Sequence, residues 1–231
     1  KFKGERVNIA LNSLIATTFE MGIGDGIIIS NGKYENSQMD LTTITLTTKR
    51  ASIAWKGMRA RVDGADKYNK IAYINCTIVS NWSDYYVYAS WDMQNRYKIK
   101  SGELELDKDI YIKGNREYGP DKCLLVPKYI NMYIVGTSPD INKKHELPIG
   151  VTLVANKYAA HCREFMGKRE VKKFLGKFNT PEEAHQAWVD FKTKQLREKV
   201  IPYFIDDVLP EYRNHPMVLK VIDTLQNYTF E

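Results

Sequence analysis

Long hydrophobic runs and clustered cysteines are both missing from this chain of 231 residues. No apolar stretch approaches the roughly 20 residues that a membrane-spanning helix needs. The three cysteines, Cys76, Cys123 and Cys162, lie far apart, with no C-x-x-C pair and no histidine at zinc-ligand spacing. We therefore expect no membrane span and no structural zinc, and the sparse thiols suit the reducing cytoplasm.

Positive charge is concentrated in one segment of the chain. Within residues 151–179, seven lysines and arginines stand against two glutamates, a net charge of +5, while the whole chain carries +6. Residues 201–231 carry a net charge of −3. Because phosphate binding is driven by local charge density, the basic segment indicates a face that binds a polyanion. A solvated, lysine-rich surface is the alternative interpretation.

Three strands and a helix are predicted in and after the basic segment. Short apolar and β-branched runs predict the strands, at residues 149–154, 157–162 and 171–178. Thr180 and Glu183 then form a capping box, which predicts a helix start. Trp188 and Phe191 follow on one face of this helix, and we expect them to pack under the strands. A last helix is predicted from Pro216.

This strand and helix segment resembles the Apetala / ethylene-response DNA-binding domain of plants. The resemblance is carried by Gly150-Val151, Lys157-Tyr158-Ala159-Ala160 with Arg163, Phe174-Leu175-Gly176-Lys177-Phe178-Asn179-Thr180, Glu182-Glu183-Ala184 and Ala187-Trp188. It implies a three-stranded antiparallel sheet that lies in the major groove of double-stranded DNA, with cationic side chains contacting bases and phosphates. A protein-interaction sheet with a lysine-rich exterior is the alternative.

The resemblance places Arg163, Lys172 and Lys173 at the family's contact positions on the second and third strands. With the other cations of the segment, the predicted DNA-binding residues are Lys157, Arg163, Lys168, Arg169, Lys172 and Lys173. The family usually has arginine directly after the Gly-Val of the first strand, whereas Thr152 stands here. Base reading from that strand is therefore weakened, and we expect affinity to rest more on phosphate contacts.

The middle of the chain mixes short helices and strands. Composition and period predict a strand at residues 41–48, a helix at 51–62, strands at 103–107 and 123–126, and a helix that begins near Pro127. Another helix passes through Tyr88 and is expected to be capped by Asn81 or Ser83. The dense aromatic residues around Tyr88 are expected to form a core seam.

Short motifs in this middle segment resemble the core of HNH nucleases. The motifs are Leu106-Asp107-Lys108-Asp109-Ile110, Gly114-Asn115-Arg116, Tyr118-Gly119-Pro120-Asp121-Lys122-Cys123-Leu124-Leu125-Val126-Pro127 and Ile130-Asn131. Related phage proteins share Trp55-Lys56-Gly57-Met58 and the stretch from Cys76 to Trp82. Homing-type HNH proteins of tailed phages often join such a core to a DNA-binding module of the Apetala kind.

The HNH resemblance implies a ββα fold that holds one divalent cation, Mg²⁺ or Mn²⁺, between a strand end and a helix. Asp107 and Asn131 match the metal ligands, and the catalytic positions are Asp107, Lys108 and Asp109. Lys108 stands where the family has the histidine that takes a proton from the attacking water, and Lys122 replaces the middle asparagine. All four histidines lie outside this segment. Asp109 is therefore the candidate substitute for the missing base, and we expect weak cleavage.

The sequence as a whole predicts an α+β fold, in which an HNH-like ββα-metal core is followed by a three-stranded antiparallel sheet packed on one helix. The predicted parts are an irregular N-terminal region (1–49), an HNH-like domain (50–136), an Apetala-type DNA-binding domain (147–200) and a helical C-terminal extension (201–231). The expected function is a phage HNH homing-endonuclease-like protein that binds and nicks double-stranded DNA in the host cytoplasm. Two alternatives are a DNA-binding transcription regulator without catalysis and a phage protein that binds a host protein.

Overall fold

The fold is mixed α and β, as the sequence predicts. The computed structural model describes residues 29–30, 33–34, 41–64, 73–135, 147–167 and 170–230. The helices are α1 (Leu41–Val62), α2 (Tyr85–Asn95), α3 (Lys128–Val135), α4 (Pro181–Gln195), α5 (Ile201–Asp207) and α6 (Pro216–Gln226). The strands are β1 (Ile29–Ser30), β2 (Lys33–Tyr34), β3 (Thr77–Ile78), β4 (Leu104–Asp107), β5 (Glu117–Tyr118), β6 (Leu124–Pro127), β7 (Val151–Val154), β8 (Lys157–Phe165) and β9 (Glu170–Phe178).

Contacts within the chain divide it into two compact units. The first consists of Lys1–Arg96 and Ile112–Cys123, and the second of Tyr97–Tyr111 and Leu124–Glu231. These limits do not coincide with the predicted domains, because the segment 50–136 contributes to both units. The linker predicted between the HNH-like and Apetala-type domains, residues 136–146, lies outside the described residues.

Aromatic side chains form the core of the first unit, which confirms the predicted core seam. Trp82 lies edge-on against Tyr88 and Trp91, at ring-centroid distances of 5.0 and 4.7 Å. The indole N–H of Trp55, on α1, donates to the backbone oxygen of Trp82 at 2.9 Å. This bond satisfies the one polar atom of a large apolar side chain and joins α1 to the turn before α2.

Two sequence-based assignments in the first unit are wrong. Residues 41–48, predicted as a strand, form the first part of α1. A β-branched residue lowers helix stability by only tenths of a kcal/mol, so that extension of the helix from the buried Ala51 and Met58 outweighs threonine content. The cap of α2 is Asp84, whose carboxylate accepts from the backbone N–H of Tyr86 at 2.7 Å. The expected caps belong instead to the 3₁₀ turn Ser80–Ser83.

In the second unit, two short strands precede a helix. β4 pairs antiparallel with β6, and Asp107 lies opposite Leu124 at the end of the pair. All four side chains of β6 are buried, and the Tyr97 hydroxyl donates to the Leu125 carbonyl at 2.9 Å. α3 begins directly after β6 and buries Ile130 and Tyr133. The predicted strand and helix at these positions are therefore present, shifted by one residue.

The three predicted strands after residue 147 form one antiparallel sheet in the order β7-β8-β9. α4 packs across one face, where Val151, Ala160 and Ala184 form a buried cluster. The predicted capping box is confirmed, since the backbone N–H of Glu183 donates to the Thr180 hydroxyl at 3.2 Å and the Glu183 carboxylate accepts from the N–H of Thr180. A bulge interrupts the pairing of β8 and β9 between Ala160 and His161.

Trp188 closes the core beneath the sheet, as predicted, while Phe191 is only half buried. Gly150 has a φ of +81° and lies so close to the indole that a Cβ there would stand 2.2 Å from Trp188 Cδ1. Glycine is therefore required both by the backbone and by the packing. On another side, the Phe230 ring meets Trp188 at 6.0 Å.

The last helices complete the second unit. One turn of π-helix, Leu196–Val200, joins α4 to α5, and the helix predicted from Pro216 is present as α6. Aromatic rings from several elements meet around Phe165, with Tyr133 at 6.0 Å and Tyr203 at 5.4 Å. No helix among the described residues has the length and apolar character needed to cross a bilayer.

Candidate nucleic-acid interface and metal site

Cations collect on the face of the sheet that points away from α4, called here the outer face. Side chains alternate across a strand, and partners in antiparallel strands share a face. Arg163 pairs with Lys172, and Ala159 pairs with both Thr152 and Lys177. Lys157 lies two residues before Ala159 on β8 and therefore shares its face. The outer face thus carries four exposed cations, Lys157, Arg163, Lys172 and Lys177. Lys177 is an outer-face cation that the sequence-based set did not include.

Lys173 lies on the opposite face, although it follows Lys172 directly. It pairs with Cys162, and its Nζ stands 3.3 Å from a Glu164 carboxylate oxygen and 5.1 Å from the centre of the Phe191 ring on α4. Glu164 also bonds Lys199 at 2.6 Å. Lys173 is therefore engaged in a local ion-pair network beneath the sheet. The predicted contact residues Lys168 and Arg169 lie outside the described residues.

The outer-face cations are held in place by few partners. The Arg163 side chain is 76% exposed and forms an ion pair with Glu170 at 3.5 Å. Lys157 donates to the Asn179 side-chain oxygen. Exposed ion pairs of this kind contribute little to stability, because water screens them. These side chains therefore remain available for an anionic partner.

An aromatic pair lies at the centre of the outer face, and sequence reasoning did not select it as part of the site. His161 and Phe174 are cross-strand partners with ring centroids 5.4 Å apart, and Phe174 is 55% exposed. Burial, and then the nearby Lys172, lower the pKa of His161. The buried Nδ1 of His161 has no hydrogen-bond partner within the described part of the chain. The alternation of side chains along β8 from Lys157 is the sequence signal that could have identified His161.

Asp107 lies at the end of β4, where the HNH resemblance predicts a metal ligand. Its Oδ1 accepts from the backbone N–H groups of Asp109 and Ile110, at 2.8 and 2.7 Å. The side chain is 8% exposed, and burial raises the pKa of the carboxyl, an effect that the N–H of Ile110 opposes. One carboxylate oxygen thus holds the turn, whereas Oδ2 takes part in neither bond.

The base position is occupied by an ion pair. Lys108 is 3% exposed, and its Nζ donates to Asp109 Oδ1 at 2.5 Å. An ammonium group has no lone pair with which to accept a proton. Lys108 also holds one oxygen of Asp109, the carboxylate expected to substitute as base. The arrangement therefore lacks the positioned base that the HNH chemistry uses.

Asn131 lies over the same face of β4 as Asp107. Its Nδ2 donates to Glu105 Oε2 at 2.8 Å, and Glu105 and Asp107, two residues apart on a strand, share a face. Asn131 Oδ1 is buried and meets no donor among the residues that the structure describes. Glu105 is a residue that sequence reasoning missed, because only the contact with α3 reveals it.

The residue types around Asp107 fit a hard divalent cation. Carboxylate and amide oxygens are the ligands that Mg²⁺ and Mn²⁺ prefer, and the buried Asn131 oxygen meets no donor among the described residues. No group of three or more His, Cys, Asp and Glu side chains within the described ranges is arranged to hold a metal ion. A site here would therefore depend on the Asn131 amide. Lys122 belongs to the first unit, where it forms an ion pair with Glu117.

No protein-family model matches this chain, and neither a curated protein nor a solved structure shows significant similarity to it. The resemblances to the Apetala-type domain and to the HNH core therefore rest on the residues of this chain. The function they imply is a proposal.

Proposed function

We propose that this protein binds double-stranded DNA through the outer face of its three-stranded sheet. The observation that carries the proposal is the grouping of Lys157, Arg163, Lys172 and Lys177 on one exposed face, away from α4. The major groove is wide enough to admit β-structure, and each cation that meets a phosphate releases condensed counterions. The exposed Phe174 at the centre offers apolar contact to base edges.

The salt dependence of duplex binding tests this proposal. In the double variant Arg163→Ala/Lys172→Ala, affinity should fall at low salt. The slope of log Kobs against log salt should become shallower by about one to two units, because up to two phosphate contacts are lost. Lys173→Ala is the matched control, since it removes one lysine from the other face of the same strand.

The two outcomes are clearly separated. Unchanged affinity and slope in the double variant would remove the outer face from the DNA interface. A loss about half as large in Lys173→Ala, which removes one charge instead of two, would show that total charge, rather than the outer face, governs binding.

We further propose that the β4, β6 and α3 segment is an HNH-type ββα element, as in homing endonucleases of phages, and nicks DNA slowly. The support is the antiparallel β4/β6 pair followed directly by α3, with Asp107 and Asn131 over one face of β4. These two residues would hold a single Mg²⁺ or Mn²⁺. When bound, the cation would stabilise negative charge at the leaving oxygen.

Slow rather than efficient cleavage is expected from the Lys108–Asp109 pair. Loss of a positioned general base typically costs about 10²–10⁴-fold in rate. The residues of this chain would still bind the duplex and keep Asp107 fixed through its turn hydrogen bonds. A cation held by Asp107 and Asn131 would still supply electrostatic stabilisation without the base, so that some nicking is expected.

Nicking of supercoiled plasmid in Mn²⁺ tests this second proposal. Asp107→Ala should abolish nicking, and Lys108→His should leave it unchanged or raise it. Nicking that persists in Asp107→Ala, or that needs no divalent metal, would contradict the HNH interpretation.

A DNA-binding regulator without catalysis is the second candidate function. The ion pair at the base position favours it, because the buried Lys108 is held by Asp109. Tight duplex binding without nicking in any metal would support the regulator. Absence of steeply salt-dependent DNA binding would instead favour the protein-binding alternative, in which the partner is a host protein.

A further inference from the structure

The orientation of the Asn131 side chain is fixed by Glu105. Asn131 Nδ2 lies 2.8 Å from Glu105 Oε2. An ionised carboxylate only accepts hydrogen bonds, and of the two ends of an amide only the nitrogen donates. The amide must therefore turn its nitrogen to Glu105. The reverse orientation would place the amide oxygen against the carboxylate, and both of these groups are acceptors.

The consequence of this orientation is that Asn131 Oδ1 points away from Glu105. That oxygen is buried and finds no donor in the described parts of the chain. Buried polar atoms without partners are rare and costly in folded proteins. A cation near the oxygen would provide the missing partner. Asp107 lies two residues from Glu105, on the same face of β4.

We propose that Glu105 is a positioning residue that holds the Asn131 amide with its oxygen turned toward the divalent cation. This inference rests on the proposed function, because it assumes that Asp107 and Asn131 bind a metal. Glu105 then acts through Asn131 rather than by touching the cation. Such supporting hydrogen bonds orient the groups that do bind, and their loss typically lowers metal affinity about 10–100-fold.

Mn²⁺ affinity of the full chain, measured from the paramagnetic resonance signal of free Mn²⁺, tests the inference. Glu105→Ala removes the acceptor and should weaken binding about 10–100-fold. Glu105→Gln keeps an oxygen that accepts from Asn131 Nδ2. Its Mn²⁺ affinity should therefore stay within roughly threefold of that of the unsubstituted protein, a much smaller change than in Glu105→Ala. Glu103→Ala is the charge control, because this exposed carboxylate precedes β4 directly.

Each result decides between explanations. Weak binding in both Glu105 variants would make Glu105 a ligand and overturn the positioning role. Tight binding in Glu105→Ala would show that Asn131 needs no support. If the original protein binds no Mn²⁺, the metal site itself fails. If it binds Mn²⁺ and Glu105→Ala binds equally well, only the positioning role fails.

A second measurement needs no variant and separates the amide nitrogen from its oxygen. In protein labelled at asparagine, the Asn131 NH₂ protons should resonate downfield in the metal-free state, because they are bonded to a carboxylate. Adding Mg²⁺ should shift the Asn131 carbonyl carbon and leave the NH₂ protons downfield. Movement of the NH₂ protons to the position of a free amide would mean that Glu105 leaves Asn131 for the metal, which contradicts the proposal.

Discussion

Charges on the outer face of the sheet and charges inside the same unit are held in different ways. Lys172 is exposed on the outer face, whereas Lys108, Lys192 and Asp107 are 3%, 5% and 8% exposed. Each buried group has a specific neighbour: an Asp109 oxygen for Lys108, turn N–H groups for Asp107, and the Tyr133 ring, 3.5 Å from Nζ, for Lys192. The exposed cations are therefore free to serve binding, while removal of a buried charge disturbs the fold.

Trp188→Ala should have the largest effect, because it removes the largest side chain that α4 buries beneath the sheet. The indole is 4% exposed and lies against Gly150 and Phe230. Large-to-small substitutions of buried aromatic residues cost about 3–5 kcal/mol. Urea denaturation measures this loss. Phe191→Ala, at a half-buried position of the same helix, should cost less, and equal losses would mean that α4 is not docked through Trp188.

Lys192 should make the stability depend on pH between its folded and unfolded pKa values. Burial lowers the pKa of Lys192 from 10.5 to about 8. Below pH 8 the lysine is charged in both states and the full burial penalty applies. As pH rises from 8 toward 10.5, the unfolded chain holds more protons, so that the folded state gains stability. Relative to the Lys192→Met variant, the free energy of unfolding of the protein should rise by about 2–3 kcal/mol between pH 7.5 and pH 10.

The measurement for Lys192 is the difference in unfolding free energy between the two proteins at each pH. Tyrosines away from Lys192 ionise in both proteins, so that their contribution cancels in that difference. A difference independent of pH would show that the Lys192 ammonium keeps its ordinary pKa next to Tyr133.

Asp107→Ala should lower stability by about 1–3 kcal/mol, because the N–H groups of Asp109 and Ile110 lose their acceptor. Without divalent metal, duplex affinity should stay unchanged, because Asp107 is not among the outer-face residues proposed to contact DNA. Asp206→Ala is the control, at a carboxylate that is 78% exposed and paired with Lys100 at 3.3 Å. It should change the unfolding free energy by less than about 0.5 kcal/mol. Similar losses in both variants would contradict the turn-holding role of Asp107.

The smallest expected effect is a change in the pKa of His161, which distinguishes the two faces of β9. Lys172 contributes to the lowered pKa of His161, after burial. Lys172→Ala should therefore raise the pKa of His161 while leaving it below the ordinary value, as measured by titration of the ring resonances. Lys173→Ala, on the face toward α4, should not change it. A shift caused by Lys173→Ala would place that side chain on the outer face.

Much of the sheet and helix in the second unit was predicted from the sequence, because the patterns that indicate them involve residues close together in the chain. The capping box at Thr180 and the apolar position Trp188 depend on residues within a few turns of one helix, and both are present as predicted. The face of each lysine was not predictable. A bulge at Leu175 lets Lys172 and Lys177, an odd number of residues apart, share the outer face, and such a bulge depends on strand pairing.

The candidate metal site was predictable only in part, for a similar reason. Asp107 and Asn131 follow from short motifs, whereas the bond between Asn131 and Glu105 joins residues 26 positions apart. The burial of Lys108 likewise depends on tertiary packing. Residue types at a site can be found from motifs, but their hydrogen-bond partners come from the folded chain.

The division of the chain into two units determines what a protease can separate. The backbone passes between the units three times, after Arg96, Tyr111 and Cys123. A single cleavage after Tyr111 would give two fragments, each of which contributes residues to both units. The fragments would stay associated through β3–β5 and β4–β6 pairing, since each pair draws one strand from each fragment. A nicked molecule is therefore expected to migrate as one particle until it is denatured.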